Sequence, residues 1–160
     1  MSESPEETLR AIYNYRRASP DLATAGQPLE EELAAVARAG FEVVVDLALL
    51  DADYSLADEP GLVRALGMTF EHVPVAWERP TLDDLQRFFG IMRRHRGRRI
   101  FLHCAANMRV SVFLALYRIL ELGWAPDAAM KPVHEIWQPN PVWQEFIRRA
   151  LAPASPQPPR

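Results

Sequence analysis

The sequence contains a single cysteine, Cys104, and the residues around it are the part of the chain best suited to chemistry. Two small residues, Ala105 and Ala106, follow it directly, and Arg109 comes soon after. A thiolate is a strong nucleophile, and a nearby arginine favours the charged form of a thiol. We therefore predict that Cys104 is an activated nucleophile whose pKa lies below the value of about 8.5 that a free thiol shows.

The elements that flank Cys104 place it where ligands bind. Residues 99–103 predict a strand and residues 110–122 predict a helix, so Cys104 lies at the carboxyl end of a strand, where open α/β sheets hold their ligands. The N–H groups of the loop and of the first helical turn have no partners within the helix, and they form a concavity that binds anions. The simpler interpretation is that Cys104 is a small buried hydrophobic residue.

The composition excludes several kinds of protein. One cysteine cannot form an internal disulfide, and no Cys or His pair has the spacing of a zinc site, so we expect no metal and no cofactor. A net charge of −3 argues against nucleic acid and membranes as partners, and the basic residues 93–99 are interpreted as the solvated end of a helix. No apolar run approaches the roughly 20 residues of a membrane helix. Because the acidic residues 1–7 also differ from a signal peptide, we expect a cytoplasmic protein.

Short apolar runs alternate with helical patterns along the chain. This alternation predicts one α/β domain over residues 11–151, with three layers and a mostly parallel central sheet flanked by helices. Residues 1–10 are expected to form an N-terminal extension, and the Pro-rich residues 152–160 a disordered tail. The predicted strands are residues 41–47, 69–75 and 99–103, with a strand or turn at 11–17. The predicted helices are residues 29–39, 59–66, 82–96, 110–122, 127–136 and 141–151.

The segment from His103 to Ser111 resembles the signature of the cysteine-dependent protein-tyrosine and dual-specificity phosphatases, which is His-Cys, five residues, Arg, then Ser or Thr. The order of elements over residues 11–151 is similar to that of small bacterial dual-specificity phosphatases. The resemblance implies metal-independent hydrolysis of a phosphate monoester through a cysteinyl-phosphate intermediate, with a phosphorylated substrate of unspecified class. It implies that His103 supports the loop and that Ser111 hydrogen-bonds to the thiolate or helps to break the intermediate. The implied phosphate-binding residues are Ala105, Ala106, Asn107, Met108, Arg109 and Val110.

The loop departs from the family pattern at two positions. Asn107 stands where the family has Gly, and Asn is the best non-Gly residue for a left-handed backbone. Val110 stands where the family has Arg, while Arg109 comes one residue early. Two arrangements are therefore open. Either the loop is one residue shorter and Arg109 still points inward, or the register is kept and Arg109 points elsewhere.

The general acid of the family is an Asp on a loop that precedes the signature. The matching loop here, residues 75–80, has no Asp, and Glu78 is its nearest carboxylate. Desolvation beside Trp77 would raise the pKa of Glu78 into a useful range. The alternative is that Glu78 is a solvated residue paired with Arg79. Other candidate carboxylates are Asp83 and Asp84, which open a predicted helix, and Asp51, Asp53 and Glu59, on another loop that would border the pocket.

Two other functions are compatible with the loop. The first is a pseudophosphatase, a binding module that keeps the anion site but turns over little, because Val110 occupies the arginine position and no Asp acid is present. The second is sulfur transfer, because Cys104, four residues and Arg109 also resemble the active loop of rhodanese-type sulfurtransferases. The elements that follow the loop are more similar to the end of a phosphatase domain.

Overall fold

A five-stranded sheet forms the centre of the computed structural model, which describes residues 4–153. The strand order is β1-β2-β5-β3-β4, with β1 antiparallel to β2 and every other pair parallel. This confirms the predicted α/β class with a mostly parallel sheet. The strands are β1 (Arg16–Ser19), β2 (Leu22–Ala25), β3 (Val43–Asp46), β4 (Thr69–His72) and β5 (Ile100–His103). The helices are α1 (Pro5–Arg10), α2 (Glu30–Arg38), α3 (Glu59–Ala65), α4 (Leu82–Arg94), α5 (Met108–Leu120), α6 (Pro126–Ile136) and α7 (Pro141–Leu151).

The central strands bury both of their faces. In β3, Val43 and Val45 face the helices α4 to α7, while Val44 faces α1 to α3. This division follows from strand geometry, because successive side chains point to opposite faces. The β-branched run of β3 suits a strand that is covered on both sides. The helices therefore form two layers around the sheet, as the sequence predicts.

Two elements near the N-terminus differ from the sequence-based expectation. The strand β1 begins at Arg16, near the end of the predicted segment 11–17, and β2 follows it in an antiparallel hairpin. The region expected as an extension contains α1, whose Leu9 is fully buried in one cluster with Leu33 and Val36 of α2. Residues 154–160, most of the expected Pro-rich tail, lie outside the described residues.

The basic run of residues 93–99 is mostly accessible to solvent, as expected, but His95 within it is only 5% exposed. These residues form the last turn of α4 and the turn that follows it. Arg94 and His95 both contact the Glu71 carboxylate there. No helix in the described part of the chain is long and apolar enough to cross a membrane.

Candidate active site

A cavity of about 380 Å³ lies at the carboxyl end of the sheet. Cys104 follows β5 directly and forms part of the cavity lining, together with Ala105 and Ala106 of the loop and Met108 at the start of α5. The opposite walls come from the segments after β3 and β4, which contribute Leu49, Ala52, Tyr54, Ala76, Trp77 and Glu78. The crossover topology thus brings three separate loops to one cavity, at the edge where parallel sheets hold ligands.

The sulfur of Cys104 sits in a nest of backbone amides. The N–H groups of Ala106, Arg109 and Val110 donate to it, and the side chain is only 1% exposed. Burial raises the pKa of the Cys104 thiol, and the Arg109 charge and these amides only partly oppose that effect. The burial of Cys104 therefore contradicts the predicted lowering of its pKa. The sequence indicates that Arg109 and the loop amides lie near Cys104, but it does not indicate how deeply the thiol is buried.

We expect the rate of Cys104 alkylation by iodoacetamide to rise with pH, with a midpoint above the ordinary thiol value. Arg109→Gln should raise the midpoint further, because the guanidinium charge favours the thiolate. Mass spectrometry gives the rate at each pH without ambiguity, because the chain has one cysteine. A midpoint below that of free cysteine would show that burial does not dominate, and no increase in Arg109→Gln would show that the guanidinium does not stabilise the thiolate.

Arg109 points into the cavity and is anchored there. Its Nη1 donates to the carbonyl oxygen of Val75 at 2.7 Å, and its Nη2 donates to the Tyr54 hydroxyl at 3.3 Å. A guanidinium has five N–H donors, so three remain for a ligand. The Val110 side chain, in contrast, is fully buried in the core. Of the two arrangements left open by the sequence, the structure has the shorter loop with an inward arginine.

Asn107 closes the loop before α5 begins at Met108. Its φ of 64° lies in the left-handed region that the family glycine also favours. The Asn107 side chain adds what glycine lacks, because its Nδ2 donates to the carbonyl oxygen of Asn14 and to Thr24 Oγ1, both at 2.9 Å. Asn14 Nδ2 in turn donates to the carbonyl oxygen of Ala106 at 2.9 Å. These bonds tie the loop to the β1–β2 end of the sheet.

His103 lies on the opposite face of β5 from the cavity. Its Nε2 is 2.5 Å from Glu59 Oε2, its Nδ1 is 3.3 Å from the Cys104 carbonyl oxygen, and Asp46 Oδ1 lies 3.7 Å away. Burial alone would lower the pKa of His103, but the charges of Asp46 and Glu59 outweigh it and raise the pKa to about 9. The protonated ring donates to the Cys104 carbonyl, which supports the expected positioning role.

Asp46, Glu59 and His103 are also the one set of side chains in the described structure spaced closely enough to hold a metal ion, with ligand atoms within 4.8 Å of one another. The short His103–Glu59 hydrogen bond accounts for two of these groups without an ion. Glu59 was expected on a loop that borders the cavity. It does not line the cavity, because it is 2% exposed and buried against His103.

Among the candidate acids, Glu78 alone lines the cavity. It is exposed and not desolvated beside Trp77 as expected, and within the described residues no hydrogen bond or ion pair joins it to Arg79. Asp84 is engaged elsewhere, because its N–H donates to Thr81 Oγ1 and its Oδ2 accepts from the Thr81 N–H. Asp83 shares this first turn of α4 and is exposed. The remaining candidates, Asp51 and Asp53, are exposed and do not line the cavity.

A cluster of three tryptophans supports the turn that carries Glu78. The ring of Trp77 lies 5.3 Å from that of Trp137 and 5.7 Å from that of Trp143, and Trp143 Nε1 donates to the Trp77 carbonyl oxygen at 3.0 Å. Trp137 Nε1 also donates to Ser111 Oγ at 3.1 Å. Ser111 Oγ itself donates to the Met108 carbonyl at 2.7 Å. Its hydroxyl is therefore committed to local bonds and does not line the cavity, contrary to the expected contact with the thiolate.

Comparison with known proteins identifies the family. A family model described as DSP-PTPase phosphatase fused to NAD+ kinase matches residues 13–135. The chain belongs to this phosphatase family. It is thereby a member of the cysteine-dependent protein-tyrosine and dual-specificity phosphatase superfamily, as the sequence resemblance indicates. A search of curated proteins found no match.

Solved structures agree with the DSP-PTPase assignment. A DUF442 protein from Shewanella putrefaciens CN-32, assigned as a phosphatase, is 30% identical, with 90% of this chain and 95% of that protein covered and a TM-score of 0.80. Tk-PTP in its active form is 19% identical, with coverages of 86% and 95% and a TM-score of 0.72. TpbA from P. aeruginosa, solved with pTyr, is 19% identical, with coverages of 94% and 84% and a TM-score of 0.63. The sulfurtransferase alternative gains no support from these relatives.

Proposed function

We propose that this DSP-PTPase domain hydrolyses phosphate monoesters through a cysteinyl-phosphate intermediate. The observation that carries the proposal is the convergence of three backbone amides on Cys104 Sγ beside the anchored Arg109 guanidinium, in one cavity. Amides and a guanidinium that face a nucleophile suit the equatorial oxygens of a phosphoryl group. Membership of a phosphatase family supports the same chemistry.

In the first step, the Cys104 thiolate attacks phosphorus in line, the S–P bond forms and the P–O bond to the alcohol breaks. Glu78, as a carboxylic acid, donates its proton to the departing oxygen. The amides of the loop and the free donors of Arg109 hold the three equatorial oxygens. The thiol proton leaves to solvent beforehand, so the reacting form of the enzyme carries a thiolate at Cys104 and a proton on Glu78.

In the second step, water attacks the cysteinyl phosphate. The Glu78 carboxylate accepts the proton of this water, the S–P bond breaks, and inorganic phosphate and the Cys104 thiolate are released. The proton gained by Glu78 restores the acid for the next turnover. No metal is needed for the balance of protons or electrons in either step.

Tyr54 and Val75 belong to this proposal although no sequence motif marks them. Their oxygens hold two donors of Arg109, and this anchoring orients the guanidinium before a ligand arrives. The Val75 carbonyl lies on the segment that leads to Glu78, so Arg109 joins the phosphate-binding side of the cavity to the acid loop. For a substrate we propose a phosphorylated molecule without a narrower class. TpbA was solved with pTyr and PTPMT1 with PI(5)P, and both resemble this chain at the level of fold.

We expect the wild type to release inorganic phosphate from aryl phosphates, and Glu78→Gln to slow this release by roughly 10²–10⁴-fold for a phenyl leaving group. With a 4-nitrophenyl leaving group, which needs little protonation, the same variant should lose much less. Phosphate release measured for both substrates tests both statements. Asp83→Asn is the matched control, because this exposed carboxylate lies outside the cavity. Equal losses with the two leaving groups would exclude Glu78 as the acid.

A second candidate function is favoured by two observations on the same site. Burial raises the pKa of Cys104, and Arg109 already donates to Val75 and Tyr54. A protein that keeps the amide nest but ionises its thiol poorly would act as a phosphate-binding module. Phosphate binding by calorimetry, together with no phosphate release from either aryl ester at any pH, would favour this module over the enzyme.

A further inference from the structure

A second cavity of about 270 Å³ lies at the β1 edge of the sheet, between the β1–β2 hairpin and the helices α5 and α6. It shares no lining residue with the cavity of Cys104. Its walls combine the apolar side chains of Leu114 and Ile136 with three arginines, which are Arg16 and Arg17 of β1 and Arg118 of α5. An apolar cavity with a few converging polar groups has the form of a small-molecule site.

Arg118 of α5 is the unusual group in this cavity. The residue is only 8% exposed, yet within residues 4–153 no carboxylate or hydrogen-bond acceptor reaches its guanidinium. Its one contact of note is the Trp124 ring, whose centroid lies 4.4 Å from the guanidinium carbon. The guanidinium packs on this ring, lines the cavity and has no protein acceptor among the described residues, so its N–H groups are available to an anion that enters the cavity.

The neighbouring charges indicate how much charge the anion carries. Arg16 pairs with Glu135 at 2.5 Å, and Arg17 pairs with Glu6 at 3.1 Å. Arg118 therefore leaves one positive charge without a partner. One negative charge balances it, and a carboxylate carries one at neutral pH, whereas a phosphate monoester carries nearly two.

We propose that this cavity is a binding site for a small carboxylate with an apolar body. The carboxylate accepts hydrogen bonds from the planar fork of Arg118, and the body packs among Leu114, Ile136 and the Trp124 ring. The proposal does not rest on the phosphatase activity, because none of these residues lines the cavity of Cys104.

The site also adjoins the support of the Cys104 loop. Thr24 and Ser111 contribute to its walls, and their hydroxyl oxygens accept hydrogen bonds from Asn107 Nδ2 and Trp137 Nε1 respectively. An occupant would therefore contact groups that hold the loop from behind. The site is therefore separate from the cavity of Cys104 but touches residues that support the Cys104 loop.

Benzoate is the probe, and benzyl alcohol is its uncharged counterpart. We expect calorimetry to show benzoate binding to the full chain, with Arg118→Met weakening it about tenfold or more because a charged hydrogen bond is lost. Benzyl alcohol should bind much more weakly than benzoate. Arg87→Met, which removes an exposed arginine of α4, is the matched control and should bind as the wild type does.

Two further measurements keep the test decisive. Arg109→Ala should leave benzoate binding unchanged, because the other cavity holds that arginine. In the wild type, benzoate should shift the NMR signal of the Arg118 Nε–H group, which tests the site even if Arg118→Met folds poorly. The proposal is overturned by undetectable benzoate binding, by equal affinities of wild type and Arg118→Met, by loss of binding in Arg109→Ala, or by an unmoved Arg118 signal.

Discussion

Cys104→Ser is expected to lower the rate of phosphate release from an aryl phosphate by roughly 10⁴-fold or more, while inorganic phosphate still binds. A serine hydroxyl is almost entirely protonated at neutral pH, so the nucleophile is lost. The amides of the loop and the Arg109 guanidinium remain in place, so the anion site survives. Steady-state kinetics give the rate, and calorimetry with inorganic phosphate gives the affinity.

Alkylation of the wild type provides an independent control for this result. The chain has one cysteine, so one equivalent of iodoacetamide incorporated should abolish activity, and inorganic phosphate should slow the reaction by occupying the nest. Ser111→Ala should lose far less activity than Cys104→Ser, because the Ser111 hydroxyl bonds to Met108 and Trp137 rather than to the thiol. Substantial turnover by Cys104→Ser would exclude the cysteinyl-phosphate mechanism.

The central part of the fold was predictable because its residues carry strong local signals. The strand expected at residues 41–47 is observed as Val43–Asp46, and its β-branched run belongs in a sheet buried on both sides. The hairpin of β1 and β2 was missed. Its first strand, Arg16–Ser19, is polar and mostly exposed. Its second strand, Leu22–Ala25, consists mostly of small residues that do not predict a strand but are buried in the folded protein. Tertiary context decides such strands, and a local pattern does not reveal it.

The site was predictable where strand alternation or a motif governs it. Placement of Cys104 at the carboxyl end of a strand followed from the element order. Alternation along β5 also puts His103 on the same face as Phe101, toward α3, which is a signal that Glu59 belongs to His103 rather than to the cavity. Tyr54 carried no such signal. Its contact with Arg109 joins loops that are distant in the sequence, and only the assembled fold shows it.

Arg109→Lys should lower kcat/KM for an aryl phosphate by about 10²–10³-fold, because an ammonium cannot replace a guanidinium that both binds the ligand and is anchored to the protein. Two of the guanidinium donors hold the Val75 carbonyl and the Tyr54 hydroxyl, and the others remain for phosphate oxygens. Lysine keeps the charge but loses the planar fork. Tyr54→Phe is the milder control, since it removes one anchor and leaves the guanidinium, so it should lose much less activity than Arg109→Lys.

Measuring kcat/KM for an aryl phosphate also tests whether the phosphate-binding arginine belongs at position 109 or at position 110. The double variant Arg109→Val, Val110→Arg restores the family order, yet it should not recover activity. The Val110 side chain is fully buried among apolar residues, so an arginine there would be an unpaired buried charge and should lower the free energy of unfolding by roughly 3–5 kcal/mol. Denaturant unfolding measures this loss beside the kinetics. Recovery of wild-type activity with unchanged stability would mean that the longer loop of the family also operates in this chain, and that the anchored Arg109 is not the group that binds phosphate.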